Sequence, residues 1–182
     1  MREAARGPVL VAIAREAIAE QLGRGLVLAR DEPWLAQPAA SFVTLHLDEL
    51  LRGCIGSIDA RRPLAEDVAA NARAAAFRDP RFMPLTRGEF DEISVEVSLL
   101  SPTEPIEVKD EAAALAVLRP HVDGVVFEYG HYRSTFLPQV WEQLPEPAEF
   151  LAHLKRKAGL SMDFWAEQVR LSRYTVSKWK EA

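Results

Sequence analysis

The residues best equipped for chemistry cluster in Leu51-Arg52-Gly53-Cys54-Ile55-Gly56, where the chain's single cysteine stands two positions from an arginine. A thiolate is the nucleophilic form of cysteine, and a neighbouring cation favours it. On a regular strand Arg52 and Cys54 share a face, about 7 Å apart along the backbone. The competing reading is that Cys54 packs inertly, since free cysteine commonly behaves as a small buried hydrophobe. A nucleophile also needs a base. His46 is near in sequence, but His121, His131 and His153 fall in expected turn or helix positions, so no Cys-His dyad is expected.

Glu96 lies between Ser94 and Ser98 on one face of an alternating apolar strand. A carboxylate there either pairs with an arginine, with Arg52 and Arg81 the natural partners, acts as an acid or base, or is simply solvated. Asp79 and Arg81 bracket Pro80 just past an expected helix end. They read either as a loop orienting an anion-binding arginine or as a capped turn in which Arg81 bridges elements. Cys54 and Glu96 are thus the candidate catalytic pair. Arg52, Asp79, Arg81 and Ser98 are the candidate binding residues for a small polar or anionic ligand. Asn71 falls in an apolar helix stripe, where burial obliges it to find hydrogen-bond partners and to tie down neighbouring backbone.

Composition narrows the field. The chain has 182 residues, 48% hydrophobic and 27% charged, with a formal net charge of -5. That is ordinary globular composition, sufficient for a core in one domain or two small subdomains. The acidic balance disfavours nucleic acid as a partner, and the basic run Arg170, Arg173, Lys178 and Lys180 reads as an exposed strand. One cysteine excludes an internal disulfide and a multi-cysteine zinc site, and the scattered histidines give no metal spacing. No phosphate-binding loop or dinucleotide fingerprint is present, so the residues name no cofactor. The apolar stretch Val9 to Leu22 is broken by Arg15, Glu16 and Glu20, which argues against a signal core or a membrane span; a cytoplasmic protein is expected.

The positioning elements follow from periodicity. Leu10, Ile13, Ala14, Ala17 and Ile18 recur at helical spacing between Pro8 and Leu22. Ser41 to Leu47 alternates as a strand, Asp48-Glu49 turns it, and Leu51 to Ile58 returns as its partner. Gly53 and Gly56 within that partner mark a bulge or a close approach to the backbone. A helix runs from Pro63 to about Phe77. Thr86 and Glu89 have capping-box spacing, Ile93 to Leu99 is a strand, and Ser101 to Pro105 is a turn. Asp110 caps a helix through Leu118. Gly124 to Tyr129 and Tyr132 to Leu137 form a hairpin across Gly130-His131. Short helices open at Pro138 and at Pro147, the second ending at Gly159, and Arg170 to Lys180 closes the chain as one strand.

The order of motifs resembles a known family. Phe42-Val43-Thr44-Leu45 before Leu51-Arg52-Gly53-Cys54-Ile55-Gly56 is similar to the signature of the AmmeMemoRadiSam system protein A family (AMMECR domain). The resemblance continues through Ala75 to Phe82 and Pro84-Leu85, then Val95 to Ser98, Asp123-Gly124, Phe136 to Val140 and Lys157 to Leu160. It implies a single AMMECR-type domain over residues 1–182, with an α+β fold. Two unequal subdomains of mostly antiparallel sheet with packed helices would flank one cleft, with Arg52, Cys54, Asp79, Arg81 and Glu96 facing it. It further implies association with a Memo-like protein and a radical-SAM protein, but no settled activity. An enzyme or substrate-handling component and a non-catalytic binding or scaffold module both stay open. Many family members carry a second cysteine where this chain has Lys155, so a two-thiol mechanism is not expected.

Overall fold

The computed structural model describes residues 5–26 and 28–181. The first half is built of helix α1 (Arg6–Gln21), strands β1 (Ser41–Leu47) and β2 (Leu50–Gly56), helix α2 (Leu64–Phe77) and strand β3 (Ser94–Leu100). Then follow β4 (Glu104–Ile106), α3 (Glu111–Val117), β5 (Gly124–Tyr129), β6 (Tyr132–Phe136), α4 (Pro147–Ala158), β7 (Arg170–Tyr174) and β8 (Val176–Lys180). This is an α+β fold with two four-stranded sheets, ordered β2-β1-β3-β8 and β4-β7-β5-β6. The chain divides into two units, Met1–Leu100 with Ser177–Ala182, and Ser101–Val176.

In the first unit the alternation of β1 and β3 does the sorting. Val43, Leu45, Val95 and Val97 are fully buried in one apolar cluster with Leu10, Ile13, Ala17 and Ile18 of α1 and Val68, Ala72 and Ala75 of α2. Each such large apolar side chain contributes about 1.5–3 kcal/mol when removed from water. The antiparallel β1–β2 hairpin turns at Asp48 and Glu49, both at positive φ (51° and 64°), the backbone that a two-residue type I′ loop needs. Asn71 is buried as its stripe requires. Its amide donates to the Ser41 carbonyl at 3.0 Å and to Asp67 at 3.0 Å. Asp67 in turn accepts from the Ser41 N–H and hydroxyl, from Ser57 and from Arg62. This network is satisfied within itself and ties α2 to the start of β1.

The second unit packs its own core. Trp141 and Phe150 stack with ring centroids 3.7 Å apart, joined by Phe127, Leu151 and Leu154. Trp141 donates its indole N–H to the Asp123 carbonyl at 2.7 Å. Lys155 is fully buried and donates to Glu111 at 2.6 Å and to the Phe164 carbonyl at 3.0 Å, a structural tie between α3, α4 and the following loop. Asp110 caps α3 through the Ala113 N–H, and Gly159 ends α4 at φ 98°.

Two expectations are corrected. The turn placed at Ser101 to Pro105 overlaps β4, whose Ile106 is buried opposite Leu171; Pro105 is tolerated because β4 is an edge strand. The single closing strand Arg170 to Lys180 is two strands in different sheets. The break falls at Thr175, whose carbonyl accepts the Ser101 N–H and whose N–H donates to the Ser101 hydroxyl, both at 2.9 Å.

Candidate functional site

Strand β2 is the outer strand of its sheet, and its glycines place it. A Cβ on Gly53 would lie 2.2 Å from the Ala75 carbonyl oxygen, so α2 can approach this strand only at a glycine. Gly53 pairs with Leu45 and Leu51 with His46, which leaves Arg52 as an extra residue in a bulge. The bulge separates the two residues expected to share a face. Arg52 runs to Glu89, with Nε to Oε1 at 2.8 Å and Nη2 to Oε2 at 3.2 Å, and to the Met83 carbonyl at 3.0 Å. Its Nη1 is buried without a partner. Glu89 also closes the capping box with Thr86, and its carboxyl is held down at about 2 by Arg52 first and by the Thr86 N–H next.

Asp79 and Arg81 clamp the free edge of β2. The Cys54 N–H donates to Asp79 Oδ2 at 2.9 Å, and Arg81 Nη2 donates to the Cys54 carbonyl at 3.2 Å. Arg81 grips the same carboxylate through Nε at 2.9 Å and Nη2 at 2.7 Å, and its N–H adds a further bond at 3.1 Å. Asp79 is only 4% exposed, and these donors, Arg81 foremost, hold its carboxyl well below the usual carboxylate range. Unpaired edge groups are a template for unwanted strand pairing, and here both outward groups of Cys54 are occupied. Phe82 lies beneath both guanidinium groups, at 5.8 Å from Arg52 and 5.5 Å from Arg81.

The Cys54 side chain belongs to a different constellation. On the sheet face away from α1 and α2, residues of three adjacent strands stand in rows. Thr44 pairs with Cys54 on one side and with Glu96 on the other. Phe42 likewise pairs with Gly56 and Ser98, and His46 with Leu51 and Ser94. The Thr44 hydroxyl donates to Cys54 Sγ at 3.3 Å. Cys54, Thr44, His46 and Glu96 are all partly buried, and Ser98 is 7% exposed. With strands about 4.8 Å apart, the backbones of Cys54 and Glu96 are separated by roughly two strand spacings, with Thr44 between them. His46 Nδ1 is buried and unpartnered. Among the described residues Glu96 has no ion pair, and the arginines expected beside it are engaged by Glu89 and Asp79.

Of the six residues singled out from sequence, the structure brings Cys54, Glu96 and Ser98 onto one face and sets Arg52, Asp79 and Arg81 around the edge of β2. Thr44, at the centre of the row, was not singled out. Its signal is the alternation Phe42, Thr44, His46, which becomes informative only once β1 is known to lie between β2 and β3. Glu89 was recognised as a cap but not as the partner of Arg52. Among the described residues no group of three or more His, Cys, Asp or Glu side chains is placed to hold a metal ion, and no helix is long and apolar enough to cross a membrane. A cavity of about 390 Å³ lies elsewhere in the first unit, lined by Ile13, Leu28, Leu35, Ala65 and Ala69, with Arg30 and Arg73 at its border.

Two antiparallel-built sheets with packed helices, and a glycine-flanked cysteine at the edge of the first, define the class of protein. The chain belongs to the AMMECR1 family, whose model matches residues 11–179. It is similar to protein MJ0810 of Methanocaldococcus jannaschii, 39% identical over 180 residues that cover 96% of this chain and 90% of that one. A protein of Methanothermobacter thermautotrophicus is 41% identical over 180 residues, covering 96% and 94%. The crystal structure of the uncharacterized protein PH0010 from Pyrococcus horikoshii matches with a TM-score of 0.80 and 35% identity, covering 96% of this chain and 91% of that one.

Proposed function

We propose that the protein is a small-molecule-handling component whose site is the polar sheet face built on Cys54, Thr44 and Glu96. The observation that supports this most directly is the row itself. Three adjacent strands present a thiol, a hydroxyl and a carboxylate without an ion pair among the described residues, side by side on the face opposite the core. Functional groups carried on strands are held more rigidly than groups on loops. The clamp on the Cys54 backbone fixes the thiol further, and the Thr44 hydroxyl donates to the sulfur and orients it. Work alongside Memo-like and radical-SAM proteins, as the family resemblance implies, is part of this reading. In it the chain binds or presents a ligand that those partners make or consume.

The reading requires that the Cys54 thiol be reachable in the folded protein. Iodoacetamide labelling followed by intact mass tests this. The native protein should take up one label at neutral pH at a rate within about tenfold of the urea-unfolded chain, and Cys54→Ser should take up none. Labelling only after unfolding would instead favour a scaffold module in which Cys54 serves packing.

A further inference from the structure

Among the described residues one carboxylate of the polar face stands without an ion pair, and this bears on the ligand class. Three nearby cations are already committed: Arg52 to Glu89 at 2.8 Å, Arg81 to Asp79 at 2.7 Å and Lys180 to Glu49 at 2.7 Å. Lys178, on the strand beside β3, is exposed and forms no ion pair with a described residue. Glu96 is left as a partly buried carboxylate without a counterion among the described residues. A carboxylate that no side chain engages is available to form charge-assisted hydrogen bonds to a cationic group. The groups beside it are acceptors or can act as such: the Thr44, Ser94 and Ser98 hydroxyls on the same face and the unpartnered Nδ1 of His46.

We infer that this face binds a small molecule bearing an ammonium or guanidinium group, with Glu96 as its counterion. The inference rests on the polar face being the ligand site, and of the small polar or anionic ligands expected from sequence it sets the anionic aside because Arg52 and Arg81 are already paired. It carries a second consequence. With no partner to lose, Glu96→Gln should leave the fold intact and its melting temperature equal to or above that of the parent, the exchange of stability for function seen at binding sites.

The experiment is a titration of the ¹⁵N-labelled protein with n-butylamine, n-butylguanidine, sodium butyrate and n-butanol at matched ionic strength. The two cations should shift the amides of residues 42–46, 54–56 and 94–98. Glu96→Gln should weaken them by about tenfold or more, the scale of one charge-assisted contact. Butyrate and butanol should leave these amides unmoved at about 20 mM. Binding of butyrate or butanol at this face as strong as that of the cations would overturn the charge assignment while leaving the face as a ligand site. So would cation binding indifferent to Glu96→Gln, or a Glu96→Gln variant melting several degrees below the parent. Silence of all four probes at this face would overturn the inference as well, and the labelling of Cys54 would still report separately on the site itself.

Discussion

Thr44 joins the two groups on which the site depends, donating to Cys54 Sγ at 3.3 Å and standing opposite Glu96 on the other side. Removing its hydroxyl while keeping its shape isolates that contact. Thr44→Val should change the rate of Cys54 alkylation at neutral pH by roughly threefold or more, because the sulfur loses the hydrogen bond that holds it, with little change in global stability. Unchanged alkylation would remove Thr44 from the account. The individual residues were only partly legible. Cys54 and Glu96 stand out by type, whereas Thr44 is an ordinary strand residue until two long-range pairings place it. The expected pairing of Glu96 with Arg52 or Arg81 fails because Asp79, two positions away, holds Arg81, and Arg52, the extra residue of the bulge, is paired with Glu89.

At the scale of elements, β2 is fixed by contacts on its inner and outer sides. The inner one is the approach of α2 to Gly53. Gly53→Ala should cost about 3 kcal/mol in urea unfolding, since the Cβ meets a helix carbonyl that has no room to yield. Gly56→Ala should also destabilise, because its Cβ would meet the root of the Phe42 ring and force that side chain from its rotamer. The outer contact is the Asp79–Arg81 clamp. Asp79→Asn should cost about 2 kcal/mol, less than a fully buried pair because the Arg81 side chain is 53% exposed and regains water. The variant should also scatter more light on warming, as the freed edge becomes available to other strands. Strands and helices were readable because their periodicity is local. The glycines of β2 signalled a bulge or a close approach, and both occur, but that Arg52 is the extra residue shows only against the partner strand; the break at Thr175 was not readable, since it depends on backbone bonds to Ser101 some 74 positions away.

For the whole molecule, two paired carboxylates set the acid limb of stability. Asp79 and Glu89 both titrate lower in the folded chain than their ordinary values of 3.8 and 4.5, Glu89 at about 2. A depressed carboxyl stabilises the fold above its unfolded pKa and loses that contribution as pH falls through the folded one. The urea midpoint should therefore hold near neutral pH and drop from about pH 4.5 toward pH 2, with a shallower drop in the Asp79→Asn/Glu89→Gln double variant. Equal slopes would mean that other groups govern acid unfolding. The central claim, that the Cys54–Thr44–Glu96 face is where this AMMECR1-family protein meets its ligand, is tested most directly by mapping a mixed fragment collection onto the ¹⁵N-labelled protein. Bound fragments should shift residues 42–46, 54–56 and 94–98 and protect Cys54 from iodoacetamide. Fragments that gather only in the cavity beside Ile13 and Ala69, leaving that face and the thiol untouched, would contradict it.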